Sequence, residues 1–221
     1  MARAPKYRLL LFLFLICSAA QAAQPVKNED GAREANLSGI KLQQEGKRTE
    51  AVEQYRKAIM LNPGGAAYHN NLAVVLKELD ELDQAEQEAR IALKLKPKRA
   101  DYHYNLGIIL QKENKPDIAE AEFREASTAE PLDPEFHFRL SQVLMQEEKL
   151  EDAQKELKPA IMLKPSEAEY HKLLGDIFMK QSKNDEALLE YRKAQEGSLN
   201  GALSGDLKNK IDYLKQVLKT R

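Results

Sequence analysis

The chain has 221 residues, 43% apolar and 31% charged, with 34 basic and 35 acidic side chains for a formal net charge of −1. That is the balance of a folded globular chain of one or two domains, without the basic excess that nucleic acid selects or the polybasic patch that anionic lipid selects. Trp is absent, Gly and Pro are few, and Ala, Leu, Glu and Lys are plentiful, which favours helix over sheet.

The first stretch, MARAPKYRLLLFLFLICSAAQAAQ, has the three parts of a secretory signal. Arg3, Lys6 and Arg8 form a basic start, and Leu9 to Cys17 a dense apolar run shorter than the roughly 20 residues a spanning helix needs. Ala20 and Ala22 then supply an A-x-A site, so cleavage after Ala22 is expected, leaving no integral span in the mature chain. A lipoprotein signal with lipid on Cys17 is the alternative, although Ile16 stands where such signals carry a small residue. Cleavage after Ala22 removes the one cysteine and three basic residues, leaving 31 basic against 35 acidic groups, a net −4, and no disulfide. The expected location is therefore outside the cytoplasm: periplasmic in a Gram-negative bacterium, secreted otherwise. Residues 23–31, AQPVKNEDG, are polar and read as a flexible segment.

The four histidines come next, in YHNNLA, YHYNLG, FHFRLS and YHKLLG. His69, His103, His137 and His171 are each 34 residues apart, so they are copies of one position in a repeat. A metal site needs its ligands converging on one ion, usually from short spacings, whereas equivalent residues of stacked units form a row. A packing or groove-edge role is expected for them, with no metal and no cofactor. Counting back gives five uninterrupted units: 32–65, 66–99, 100–133, 134–167 and 168–201. In each unit the intervals 0, +3, +4 and +7 from the histidine lay a stripe along a first helix, as in His103, Leu106, Gly107 and Leu110. Ala119, Phe123 and Ala126 lay another along a second. Small residues such as Gly107, Ser141 and Ala153 allow close helix approach, and Pro63, Pro97, Pro131 and Pro165 end the second helices.

This pattern resembles the tetratricopeptide repeat, W-x-x-L-G-x-x-Y, A-x-x-x-F and a closing Pro over 34 residues, and the resemblance covers 170 of the 221 residues. It implies an all-α protein: a right-handed superhelix, or α-solenoid, of five helix-turn-helix units. Histidine replaces the usual large apolar residue at the fourth position, Ala35 holds that place in the first unit, and the fifth unit lacks its Pro. After a turn-rich break, residues 202–221 place Leu207, Ile211, Leu214 and Leu218 on one face, as a C-terminal helix capping the last unit would.

The resemblance also implies a concave groove lined by the first helices, which receives a partner peptide or protein. Its contact positions in this sequence select Asn70, Asn71, Val74, Tyr104, Asn105, Ile108, Phe138, Arg139, Gln142, Met145, Lys172 and Met179. Among them Tyr104, Ile108, Phe138 and Met145, extended by Val74 and Met179, either form an apolar band open to a partner or pack beneath their neighbours. The carboxylate clamp of some relatives is not expected, since its lysine places hold Asn70 and Glu135. No nucleophile elbow, phosphate loop, dinucleotide fingerprint or H-E-x-x-H is present, and acidic pairs such as Glu147-Glu148 and Glu151-Asp152 read as a solvated rim. The expectation is an exported, non-catalytic scaffold for protein-protein interaction, serving assembly of an envelope complex. A homo-oligomeric adaptor using its end faces is the alternative, with a metal or small-ligand carrier behind it.

Overall fold

The computed structural model describes residues 28–198 and 204–219, so the secretory signal and its cleavage site lie outside the described residues. Within them the chain is all helix, in the order α1 (Glu29–Gln44), α2 (Arg48–Leu61), α3 (Ala66–Glu78), α4 (Leu82–Leu95), α5 (Ala100–Lys112), α6 (Pro116–Ala129), α7 (Pro134–Gln146), α8 (Leu150–Leu163), α9 (Ala168–Lys180), α10 (Asn184–Gly197) and α11 (Ser204–Lys219). Helix α1 starts at Glu29, capped by Asn28, whose side chain accepts from Gly31 N. Residues 29–31 are thus helical, where the polar composition suggested a flexible segment.

Each unit is a helical hairpin, and its turn is the same throughout. Gly46, Asp80, Asn114, Glu148 and Ser182 all have φ between 58° and 78°. That left-handed geometry is free for glycine and tolerated by Asn and Asp, so only the first unit makes the turn without strain at its Cβ. Second helices stop at Leu61, Leu95, Ala129 and Leu163, two residues before each Pro. The chain then enters the next first helix, which in α7 carries Pro134 in its first turn and an Asp133 cap onto Glu135 N.

Within a unit the two helices meet at a small residue, which faces a large one in four of the five units. A Cβ on Gly39, Gly107 or Gly175 would fall 2.6, 2.7 or 2.4 Å from the rings of Tyr55, Phe123 and Tyr191. The second unit solves the same contact with Ala73 and Ala89, the fourth with Ser141 and Leu157, all at most 2% exposed. Ser141 Oγ donates to the Ala153 carbonyl at 2.8 Å, so its buried hydroxyl is satisfied. Stacking the hairpins joins these contacts into one core, from Ala51 to Ile177, including Leu76, Leu110, Leu144 and Leu157. Each such leucine stabilises the fold by about 1.5–3 kcal/mol. Helix α11 closes the far end, burying Leu207, Ile211 and Leu214 against Ala187, Tyr191 and Ala194.

Candidate peptide-binding groove

Helices α1, α3, α5, α7 and α9 bring their contact positions together on one inner face. Neighbouring units are tied there by a side-chain ladder: Asn71 Nδ2 donates to Asn36 Oδ1 at 2.8 Å, and Asn105 Nδ2 to Asn70 Oδ1 at 2.9 Å. Both asparagines therefore spend part of their hydrogen-bonding capacity on the fold. In the next rung Arg139 Nε donates to Glu135 Oε1 at 2.7 Å, and the Tyr104 hydroxyl reaches the same oxygen at 3.3 Å. Burial pushes the Tyr104 phenol above its ordinary pKa, and Glu135 adds to this, so the ring stays neutral.

The aromatic residues do not form an open band. Phe138 is 7% exposed, covered by Tyr170 of the following unit at a centroid distance of 4.9 Å and by the Arg139 guanidinium at 5.6 Å. Tyr104 packs on Phe136 and Phe123, and Ile108 and Met145 are half-buried against the main core. Val74 is likewise half-buried, and Met179 packs into the C-terminal cluster. What the inner face does offer is a cavity of about 320 Å³ between α5, α7 and α9, bordered by Gln111, Phe138, Arg139, Gln142, Met145 and Lys172. It thus brings five of the predicted residues together, while Asn70, Asn71, Val74 and Asn105 lie along the ladder and Met179 lies toward the cap.

Helix α11 forms the wall at one end. Asp176 accepts from Lys210 Nζ and from the Tyr191 hydroxyl, both at 2.6 Å, and Lys172 lies 3.7 Å from Asp206. The Tyr191 hydroxyl has a counterpart in Tyr55, which donates to Gln43 at 2.9 Å. Phe123, at the same place in the third unit, has no hydroxyl, and the Gln111 side chain, at the cavity edge, makes no hydrogen bond among the described residues. Lys77, one unit earlier, is half-buried, and its ammonium makes no hydrogen bond or ion pair among the described residues, although its carbonyl accepts from Lys112 Nζ at 3.3 Å. Burial holds its ammonium below the ordinary pKa, and Lys112 and Arg139 push the same way against the pull of Glu78. Both residues occupy the same repeat position, and their lack of a partner was invisible in that position alone.

The histidines lie in a different place and are fully used. Nδ1 of His69, His103, His137 and His171 faces Glu88, Glu122, Glu156 and Glu190 at 2.6, 2.7, 3.4 and 2.6 Å. Nε2 faces the carbonyl of Pro63, Pro97, Pro131 or Pro165 at 2.9–3.1 Å. Carboxylate and carbonyl offer only lone pairs, so each protonated ring nitrogen finds an acceptor within the fold. The contacts fasten each unit's first helix to its own second helix and to the loop before it. No ring nitrogen is left to ligate a metal, and among the described residues no three His, Cys, Asp or Glu side chains are grouped to hold one. The four glutamates recur at the same 34-residue interval, a signal available in the sequence.

A second seam corrects the reading of the turn acids. Glu147 is not on a solvated rim: its side chain is 8% exposed, and Lys149 lies 2.6 Å from it and 2.5 Å from Glu120. Burial pushes its carboxyl above the usual range. The same arrangement one unit earlier joins Lys115 to Glu86 and Glu113, and the Lys115 bond holds Glu86 down at about 2. Glu148, Glu151 and Asp152 are exposed.

Hairpins tied by recurring polar seams, with a non-recurring inner face, define a helical-repeat solenoid. Family profiles described as Tetratricopeptide repeat and TPR repeat match residues 110–177 and 41–80. Among solved structures, YrrB, described as a TPR protein with an unusual peptide-binding site, superposes with a TM-score of 0.70 at 21% identity, over 82% of this chain and 94% of that one. MamA from Desulfovibrio magneticus RS-1 gives 0.71 at 21% identity, over 76% and 94%. Pseudomonas aeruginosa PilF gives 0.70 at 24%, over 88% and 93%. At these identities the likeness is one of fold. No curated protein matches the chain. No helix among the described residues is long and apolar enough to cross a membrane.

Proposed function

We propose that this protein is a non-catalytic interaction scaffold that holds a segment of a partner protein in its inner groove, is exported, and serves assembly of an envelope complex. The observation that carries the reading is a contrast: the histidine seam is bonded within the fold, while on the inner face, among the described residues, the Gln111 side chain makes no hydrogen bond at the cavity between α5, α7 and α9 and the Lys77 ammonium has no ion pair. Unsatisfied donors beside half-buried Met145 and Ile108 suit a peptide, whose backbone supplies acceptors and whose side chains supply apolar surface. Peptide binding in YrrB supports the same use of the fold. Residues 1–22 support export by their layout.

The test is photo-crosslinking in the native cell, with benzoylphenylalanine at position 142 in the groove or at Met60 on the opposite surface, where 71% of the residue is exposed. Adducts to a partner from position 142 and none from position 60 are expected. Adducts only from position 60, or adducts to a second copy of this chain from either, would sink the groove reading in favour of an adaptor working through its outer or end surfaces. Fusing residues 1–22 to a reporter active only outside the cytoplasm tests export; an inactive fusion would overturn it.

A further inference from the structure

The first two units have unlike edges. At one lie the turns inside each hairpin, and at the other the loops that lead from α2 into α3 and from α4 into α5. The turn edge is rich in acids and its cations are engaged: Lys47 bonds Glu45 at 2.8 Å and Arg48 bonds Glu78 at 2.7 Å. The loop edge is the reverse. Residues 57–65, KAIMLNPGG, and 91–99, IALKLKPKR, hold five cations and no acid. Arg99 is bonded to Asp101 at 2.8 Å, whereas Lys57, Lys94, Lys96 and Lys98 are exposed, and their ammonium groups make no hydrogen bond or ion pair among the described residues. Between them Met60, Ile91 and Leu95 stand 71%, 39% and 41% exposed. Glu29 and Asp30, in the first turn of α1, also lie at this edge and offset part of its charge. The balance of the whole chain gives no sign of a basic surface, because the fold sends most acids of these units elsewhere and because Glu130 and Asp133 make the third loop acidic.

The path of the chain points to the same edge independently. Helix α1 starts there: Asn28 N donates to the Leu61 carbonyl at 3.2 Å, next to Met60. The sequence before Asn28 holds the basic Arg3, Lys6 and Arg8 and the apolar run Leu9 to Cys17. Cys17 is eleven residues from Asn28, at most about 40 Å of chain, so a bilayer that takes up that run meets the loop edge first. We propose that the loop edge of the first two units rests on an anionic membrane surface, with Met60, Ile91 and Leu95 entering the headgroup layer and Lys57, Lys94, Lys96 and Lys98 meeting lipid phosphates. Lysine stems can lie along apolar surface while their hydrated ammonium groups stay at the phosphates. Separate apolar tips among them suit a fluid layer, where a protein partner would have to offer a shaped pocket to each tip. The acids of the turn edge are repelled by the same surface, which fixes the orientation. Because the helix axes run from edge to edge, the inner face is left open to the side. This surface is separate from the groove and does not rest on the groove reading.

The test uses residues 23–221, which keep every described helix and leave out an apolar run that would enter any bilayer by itself. Co-sedimentation is read with phosphatidylcholine vesicles with or without phosphatidylglycerol, at low and high salt. Binding to the anionic vesicles is expected to be at least about ten-fold tighter at low salt, a gap that closes as salt is added. The triple variant Lys94→Gln/Lys96→Gln/Lys98→Gln, checked for unchanged helicity, should lose at least about ten-fold in affinity for them. Lys41→Gln/Lys155→Gln/Lys208→Gln, which removes the same charge from exposed positions elsewhere, should keep most of it. Residues 23–221 contain no cysteine, so an environment-sensitive dye can be placed by Met60→Cys at the loop edge or by Ile118→Cys at the turn edge, where 44% of the residue is exposed. A blue shift on anionic vesicles is expected from position 60 and none from position 118. No preference for the anionic vesicles, or equal loss in the two triple variants, would overturn the assignment. So would a dye response at position 118 equal to that at position 60. Poly-glutamate binding more tightly than the vesicles, through the same three lysines, would replace the lipid with an acidic protein surface.

Discussion

The two polar systems of this solenoid, the histidine seam and the inner face, are built on opposite rules. The seam repeats: four histidines, four glutamates and four proline carbonyls, each ring bonded at both nitrogens within its own neighbourhood. The inner face varies: Gln43, Lys77, Gln111, Met145 and Met179 fill one position with three residue types, and among the described residues the side chains of Lys77 and Gln111 make no hydrogen bond or ion pair. Repetition marks what the fold needs at every joint, and variation marks what one guest needs at one place. In a repeat protein, the informative residue for function is the one that breaks the period without a compensating change nearby.

The comparison can be broken most forcefully at the seam. His171 and Glu190 are the most buried pair, 6% and 7% exposed, so His171→Ala leaves a buried carboxylate with only Lys193 to meet it. A loss of about 3 kcal/mol is expected in urea unfolding. A loss below about 1 kcal/mol would mean that the recurring contacts do not hold the hairpins together. Next in size is Gly107→Ala, which drives a Cβ to 2.7 Å from the Phe123 ring. It should cost about 1–3 kcal/mol, with part recovered by adding Phe123→Leu, the Ser141–Leu157 solution of the fourth unit. No recovery in the double variant would show that the units do not share one packing rule.

The third prediction sharpens the seam's protonation. Burial disfavours a charged His69, but the Glu88 bond, the Pro63 carbonyl and the Glu88 charge together raise its pKa above 6.5. The folded state then holds the proton more tightly, so the His69 contribution is fully present below pH 6.5 and is lost as pH rises through the folded pKa. The stability gap between the parent and His69→Gln should shrink above that point; a gap that grows with pH would reverse the assignment. The smallest effect belongs to the inner face. Lys77→Gln should leave the urea midpoint unchanged or slightly raised, because no contact is lost and a strained charge is relieved. A loss above about 1 kcal/mol would show that Lys77 serves the fold after all.

Much of the joint was legible in the sequence. The period gave the helical hairpins, and the even spacing of the histidines marked them as copies of one position before any geometry was known. What periodicity cannot give is which recurring residues touch. The glutamates at Glu88, Glu122, Glu156 and Glu190 were as regular as the histidines, yet nothing in spacing pairs a residue with one nineteen places on across a turn. The groove was less legible still. Phe138 occupies a contact position and is covered by Tyr170 of the next unit, because the stagger between hairpins is a property of the stack and not of any one repeat. A charged residue on a helix is ordinarily paired or fully solvated, and only the three-dimensional neighbourhood shows the Lys77 ammonium half-buried and without an ion pair among the described residues.

The ladder of asparagines and the proline-histidine joints have an engineering consequence: some units are spare parts. Excising residues 66–99 in frame would set His103 against the Pro63 carbonyl and Asn105 against Asn36, so those two bonds meet like replacements, while Arg48 and Gln43 would face Lys112 in place of Glu78. Excising 134–167 would strand Tyr104 and Tyr170 without the Phe138 and Arg139 between them. The first edit shortens the protein, keeps its histidine and asparagine joints and deletes Lys77; the second removes the aromatic contacts between neighbouring units. Length and selectivity in this molecule can be edited by whole modules, but only from one side of its middle.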